Sequence, residues 1–560
     1  MKAINDLKDA LKRTLDGMGV SEAEIQIEHP GELAHGDYAT GAALQYAKRA
    51  GTKPRELAEK IVEKLGSIEG VSKIEVAGAG FINFYLSPEA ISGVIEEART
   101  NERWGANSNQ EGKKTMVEYT DPNPFKEFHI GHLVTNAIGE SISRLFAFSG
   151  ADVRRANYQG DVGRHVARAI WGLLQSGDSP EGVEALGRAY AAGAAADVDD
   201  SPTRTEITAI NKKIYDRSDE KVNALYDTGR KASLDHFEEL YSTLGTNFDF
   251  YFFESETGPF GKEVVQSHIK DGVFKESQGA VVYEGEKKGL HTRVFLSSEG
   301  LPTYEAKELG LSKMKYEKFP YDKSIIVTGN EISEYFKVLL TAMGEVFPEL
   351  SQKTTHIPHG MMRLQEGKMS SRTGNVITGE SLISDLTEVA RERAAKSANR
   401  RSTDNAEKLA EQVAVAAIKY QILKQASGKD IVFNREQALS LEGDSGPYLQ
   451  YAHARAHQLV EKAREHGVEA KVDACSEPNE VARLIVRFPD IVERSAKGLE
   501  PQLVANYLIG FASAFNRWYA NEQILDGTRQ AAHKVALVDA ARVTLKNGLW
   551  LLGISAPERM

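Results

Sequence analysis

The chain runs to 560 residues, 41% apolar and 27% charged, which is too long for one core and far from a disordered composition, so several folded domains are expected. Its 69 Lys and Arg stand against 80 Asp and Glu, and the net charge of −11 argues against a protein that coats nucleic acid nonspecifically, while allowing a local basic groove. A single cysteine, Cys475, excludes a disulfide framework and a thiolate-rich metal site, and no apolar run reaches the roughly 18 residues of a membrane span.

The first twenty residues space Leu7, Leu11, Leu15 and Met18 as the apolar stripe of a helix. Asp6, Asp9 and Asp16 among the lysines make this unlike a signal or transit peptide, so a cytoplasmic protein is expected. A strand-like EIQIEHP, a helical GAALQYAKRAG and a helix after Pro54 follow. Then comes KIEVAGAGFINFYL, a strand interrupted by a close turn at Gly78 and Gly80. Residues 1–110 thus read as a small α+β unit, closed by the polar linker ERWGANSNQEGKK.

Short apolar strands then alternate with helices: TMVEYT before a helix after His129, ADVRRANYQ before HVARAIWGLL, and KSIIVTG before EYFKVLLTAMGEVF. Such alternation implies right-handed crossovers and a parallel sheet of the nucleotide-binding kind. Residues 175–290 read as a long, largely helical and charged insertion ending in a strand pair around GAVVYEGEKKGLHTRVFLS. Beyond the polar SANRRSTDN, residues 401–560 show helical periodicity broken once, at LEGDSGPYLQYAHARAHQL, as in a helical bundle. This last region balances 20 basic against 20 acidic residues, so the acidic excess, 60 against 49, lies in residues 1–400.

In a parallel sheet, ligands gather at the carboxyl ends of the strands, where the next helix offers its N-terminus. The stretch YTDPNPFKEFHIGHLVTNAIG, residues 119–139, falls there. At a spacing of three, His129 and His132 share a helix face and Gly131 leaves the backbone open, so two imidazoles and free amides can face a phosphate chain. The alternative is a helix-capping pair on the surface. In RLQEGKMSSRTGNVI, residues 363–377, Lys368 sits between Gly367 and Gly374 in a small-residue loop suited to a mobile lid that brings a cation to phosphate charge. Alone, that segment fits a solvated basic turn equally well.

Together, the early His-Ile-Gly-His and the late Lys-Met-Ser-Ser-Arg resemble the two signature motifs of the class I aminoacyl-tRNA synthetases, which implies that the histidine pair grips ATP. Glu118 and Asn123 flank the proline break before His129, and PTYEAKELG places Pro302 at a helix start with Tyr304 and Glu308 on one face. Acids bind a guanidinium bidentately, and a tyrosine ring helps enclose its plane. As isolated residues they fit a strand-end charge and a solvated helix face.

The segments VEYTDPNPFKEFHIGHL, ANYQGDVGRHVARAIWGLL, GLHTRVFLSSEGLPTYEAKELGL and SLEGDSGPYLQYAHAR resemble the arginyl-tRNA synthetase family, as do HGDYATGAALQYAK, AGAGFINFYL and the final APERM. The likeness covers essentially the whole chain. It implies an α/β fold with a Rossmann-type parallel-sheet catalytic domain at 111–400, its helical insertion at 175–290 and its lid loop at 367–374. An N-terminal α+β domain at 1–110 is expected to touch the tRNA elbow, and a C-terminal all-α helical bundle at 401–560 to bind the anticodon. The resemblance assigns ATP to His129, Gly131, His132, Gly160, Asp161, Gly163, Lys368, Met369 and Ser370, and arginine to Glu118, Asn123, Tyr304 and Glu308. Phe81 and Asn83 match the segment that meets the D-loop, where an aromatic can stack on an unpaired base, and Tyr519 and Met560 fall near the anticodon loop. Core packing is the alternative for Phe81 and Tyr519.

Three positions depart from the family pattern. Glu308 stands where aspartate is usual, Ile332 where glutamine is common, and Ser371 in place of the second lid lysine, a cation that Lys126 can supply. The expected catalytic residues are therefore His129, His132, Lys126 and Lys368. The implied reaction joins L-arginine to arginine tRNA through an adenylate, with magnesium held mainly by the ATP phosphates, no zinc, no membrane and a monomeric enzyme. The rival readings are a catalytically idle tRNA-binding paralogue and a small-molecule adenylyltransferase.

Overall fold

The computed structural model describes residues 2–365, 378–396, 403–473 and 477–560. At its centre lies a five-stranded sheet of β1 (Lys114–Glu118), β2 (Asp152–Gln159), β3 (Phe250–Phe253), β4 (Lys323–Gly329) and β5 (Thr354–His359). The spatial order is β5-β4-β1-β2-β3, and every neighbouring pair is parallel. The order reverses between β1 and β4, and the crevice at such a switch point is where open parallel sheets bind ligands.

Helix α1 (Ile130–Phe148) follows β1, α2 (Arg164–Ser176) follows β2, α3 (Tyr304–Lys318) leads into β4, and α4 (Ser333–Val346) follows it. Helix α1 is buried along nearly its whole length, as its apolar and small-residue sequence requires. It is wedged between the sheet and the C-terminal helices Thr403–Leu423 and Ala531–Leu551. Gly139 makes one of these contacts possible, since a Cβ there would sit 2.2 Å from the Tyr119 ring.

The segment 175–290 is more than an insertion. Helices Val183–Ala196, Pro202–Asp216 and Glu220–Leu244 are inserted, but Phe250–Phe253 is the third strand of the central sheet. Strand Ala280–Tyr283 pairs antiparallel with both Lys275–Ser277 and Arg293–Leu296, so the expected strand pair is part of a three-stranded sheet. Helix α3 begins at Tyr304 rather than at Pro302, which bridges to Leu296 instead.

At the N-terminus, strands Tyr38–Thr40, Phe81–Leu86 and Val71–Ala77 form an antiparallel sheet, the last two as a hairpin across Gly78 and Gly80. EIQIEHP is not a strand; only Glu28 bridges to Ala39. The C-terminal region holds the expected long helices and one short strand, Ile431–Phe433, which runs parallel to Met362–Leu364. The N-terminal domain docks on the bundle through Asp37 with Arg483, at 2.8 Å, and His29 with Asp490, at 2.7 Å.

Candidate active site

The turn after β1 is strained. Thr120, Asp121 and Phe125 all have positive φ, at 78°, 47° and 66°, a conformation that costs a non-glycine residue of order 1–3 kcal/mol. Specific bonds hold it there. The Asp121 carboxylate accepts the Tyr158 amide at 2.8 Å, the Thr120 hydroxyl accepts from the Asn136 amide at 3.2 Å, and the Phe125 amide donates to the Ser233 hydroxyl at 3.0 Å.

The turn delivers His129 as the N-cap of α1. The Gly131 amide donates to His129 Nδ1 and the His129 amide to His132 Nδ1, both at 3.1 Å, forming a reciprocal capping box. The Gly131 amide is therefore not free, as the sequence pattern suggested. Its glycine identity has a different cause, because a Cβ would lie 2.9 Å from the His129 ring. The two rings stack at 3.7 Å. With both Nδ1 atoms accepting, each neutral ring carries its proton on Nε2. Burial holds both imidazoles below their ordinary pKa, and the Lys126 cation adds to the effect, so neutral Nε2–H donors are kept at pH 7. The capping and ligand-facing readings of this pair thus describe two ends of the same rings.

Beside the histidines lies a pocket of acids. Glu118, only 2% exposed at the end of β1, pairs with Lys315 of α3 at 2.7 Å. Glu308, two turns before Lys315, keeps Oε2 shielded from solvent and without a hydrogen-bond partner. Burial, then the charges of Glu118 and, more weakly, Asp121, hold the Glu308 carboxyl well above its usual range; burial and Glu118 do the same to Asp121. Three carboxyl groups facing one lysine fit a planar cation with several N–H donors. Asn123 is fixed by accepting the Gly160 amide on Oδ1 at 2.9 Å, and among the described residues its NH2 has no partner. Tyr304, 63% exposed in the first turn of α3, stands with its ring 5.3 Å from the Lys307 ammonium. Lys307 in turn makes a buried 2.6 Å pair with Glu254.

Asp161 does not line the cleft. It is fully buried and accepts from Tyr226, Arg230 and both the amide and hydroxyl of Ser255. Its role is to tie β2 to β3 and the insertion. Gly160 meets Asn123 so closely that a Cβ would fall 2.6 Å from Oδ1, and Gly163, at φ 119°, caps α2. His165 donates from Nε2 to the Gly160 carbonyl at 2.8 Å, and burial pulls its pKa down to about 3, so it is a neutral brace. Sequence reasoning passed over Lys315, Lys307, Glu254 and His165. Only Lys315 carried a signal, lying seven residues from Glu308 on the same helix face.

Lys368, Met369 and Ser370, with Gly367, Ser371 and Gly374, lie outside the described residues, as does Cys475. The chain returns at Thr378, which bridges to His129, and the Gly379 amide donates to the Phe128 carbonyl at 2.6 Å. Far from the cleft, Phe81 is 41% exposed, so it is not a core residue. Asn83, two residues on and on the same face of the strand, is covered to 5% exposure, where a contact with RNA was expected. Tyr519 is half-buried, packed on Phe515 with the Arg455 guanidinium 4.8 Å from its ring, and Met560 is 38% exposed.

Three family descriptions match the chain in succession: "Arginyl tRNA synthetase N terminal domain" at residues 2–86, "tRNA synthetases class I (R), catalytic domain" at 94–435, and "DALR anticodon binding domain" at 449–560. The chain is 31% identical to an arginine–tRNA ligase of Treponema pallidum, across 97% of its own length and 96% of the relative's. It is 32% identical to an arginine–tRNA ligase of Streptococcus pneumoniae, across 95% of both. The fold matches the arginyl-tRNA synthetase structure of Thermus thermophilus with a TM-score of 0.83 over 99% of both chains, at 24% identity.

Proposed function

The chain belongs to the arginyl-tRNA synthetase family, and on that premise we propose how its cleft joins L-arginine to the terminal adenosine of arginine tRNA at the expense of ATP. The observation that carries the assignment of roles is the juxtaposition, at one switch point, of two Nε2–H imidazoles at a helix N-terminus and an acid pocket with an unpaired carboxylate oxygen among the described residues. The first suits phosphate oxygens and the second a guanidinium.

In this reading the guanidinium enters between Glu308 and the Glu118–Lys315 pair, with Tyr304 at the mouth. Asn123 offers its NH2 to the α-carboxylate end. A carboxylate oxygen attacks the α-phosphorus of ATP in line, forming the carboxyl–phosphate bond as pyrophosphate leaves. The 3′-terminal adenosine hydroxyl then attacks the arginyl carbonyl and gives up its proton, and the acyl C–O bond breaks, so that AMP leaves with that electron pair and keeps the oxygen on phosphorus. The protein contributes position and charge rather than a covalent intermediate. His129 and His132 donate to the phosphates at the N-terminus of α1, where the helix dipole favours an anion, and Lys126 and Lys368 supply the cations.

The magnesium expected with ATP travels on the phosphates, since His129, His132 and Lys126 are partners for phosphate oxygen rather than for a hard cation. The enzyme is proposed to work as a monomer in the cytoplasm, where translation consumes its product. The test is charging: purified enzyme, ATP, magnesium and radiolabelled arginine should give an alkali-labile ester on arginine tRNA. Charging with lysine in preference to arginine would overturn the assignment of the acid pocket.

A further inference from the structure

The acid pocket has a second buried atom without a partner. The hydroxyl of Tyr335, in the first turn of α4, is shielded from solvent and, like Glu308 Oε2, makes no hydrogen bond among the described residues. Unpaired buried polar atoms are rare because each forfeits its hydration, and two in one pocket indicate a polar group that binds between them. The ring is not adrift. Phe336 meets it edge-on at 5.4 Å, and the Arg293 guanidinium, itself 3.7 Å from Glu305, lies 6.0 Å from its centre.

The surrounding acids are otherwise engaged. Glu254 holds Lys307, Glu118 holds Lys315, Asp121 accepts the Tyr158 amide, and Glu305 faces Arg293. The Arg293 guanidinium links the Tyr335 ring to Glu305 on α3, the helix that carries Glu308, and after burial the charges of Glu308, Glu305 and Glu254 raise the phenol. Ile332, one turn earlier on the same face, offers no polar atom.

We propose that the phenolic oxygen of Tyr335 and Oε2 of Glu308 together receive the guanidinium of the amino-acid substrate, making Tyr335 a specificity residue of the arginine pocket. The assignment rests on the arginine reading given above. A guanidinium is a planar fork of five donors and can reach two separated acceptors at once, whereas the compact ammonium of lysine serves one and leaves the other unpaired. The phenol would accept one guanidinium N–H and Glu308 Oε2 another.

The test is Tyr335→Phe in the full-length enzyme, which removes one oxygen and keeps the ring. Arginine-dependent pyrophosphate exchange with arginine tRNA present should show the arginine KM raised about tenfold, with kcat and the ATP KM within about twofold of wild type, as expected for one lost bond to a charged group. The advantage of arginine over lysine, taken from lysine inhibition, should narrow in parallel. An unchanged arginine KM would overturn the proposal, and so would equal losses in kcat and both KM values with a lowered thermal midpoint, which would make the oxygen structural. Wild-type exchange indifferent to arginine would remove instead the functional reading beneath it.

Discussion

A single imidazole should account for much of the rate. His132 accepts the His129 amide at Nδ1 and so carries its proton on Nε2 at the N-terminus of α1; in the proposed phosphate role, His132→Ala is expected to lower kcat about 10²- to 10³-fold, the usual loss for one donor aimed at transition-state charge, while tRNA affinity in a filter-binding assay stays within about twofold. The acid pocket carries a pH signature. Burial and neighbouring carboxylates raise the pKa of Glu308 and Asp121, so the free enzyme holds protons there that a guanidinium must displace. Arginine binding therefore releases protons, and its KM should fall as pH rises through the raised carboxyl range and then level off; Glu308→Gln should flatten that dependence. The histidine pair and the two glutamates were legible in the sequence because their spacing and residue types match a chemistry. The capped Gly131 amide and the enclosed Asp161 were not, because rotamer and enclosure, set by residues such as Tyr226 and Ser255, decide whether a polar group faces a ligand or its own chain.

Helices and strands meet through buried groups that no local pattern announces. Lys419, on the helix Thr403–Leu423, is 1% exposed and donates to the Leu244 carbonyl at 2.6 Å and the Gly553 carbonyl at 2.8 Å, clasping the end of the helix Glu220–Leu244 and the C-terminal tail. Burial pulls its pKa down to about 7, well below the roughly 10.4 of an unfolded lysine. Between those values the unfolded chain binds the extra proton, so the cost is fully present below about pH 7 and fades as pH rises. Thermal or urea unfolding should show wild-type stability gaining on that of Lys419→Met from pH 7 to pH 9, with the variant less stable throughout because two carbonyls lose their donor. Strand–helix alternation located β1, β2 and β4 and the helices after each. It missed β3 and β5: Phe250–Phe253 is four residues with aromatics pointing to both faces, with neither a period of two nor the length to stand out, and Thr354–His359 is mostly polar and carries Pro358. EIQIEHP has the period but pairs only at Glu28, so alternation alone did not make a strand.

Across the whole molecule, shifts in periodicity and charge suggested three regions in order, whereas nothing in the sequence suggested the docking of the N-terminal region on the C-terminal helices. Asp37 and Arg483 are 446 positions apart, and nothing near either names the other. That docking places the two regions expected to touch tRNA on one joined body beside the catalytic sheet. Phe81 stands out from it, so Phe81→Ala should raise the tRNA KM about tenfold, within the roughly 1–3 kcal/mol of a base stacked on an aromatic, without changing kcat at saturating tRNA. A purely structural role would instead appear as a lowered thermal midpoint with an unchanged tRNA KM.

The most direct measurement is pyrophosphate exchange with purified enzyme, with and without arginine tRNA, with arginine as substrate and lysine, glutamine and citrulline as alternatives. The expected result is exchange with arginine when tRNA is present and with none of lysine, glutamine or citrulline, which the acid pocket and the paired Nε2–H donors require. No exchange under any condition, with the tRNA still bound, would contradict it and leave a tRNA-binding protein that does not activate an amino acid.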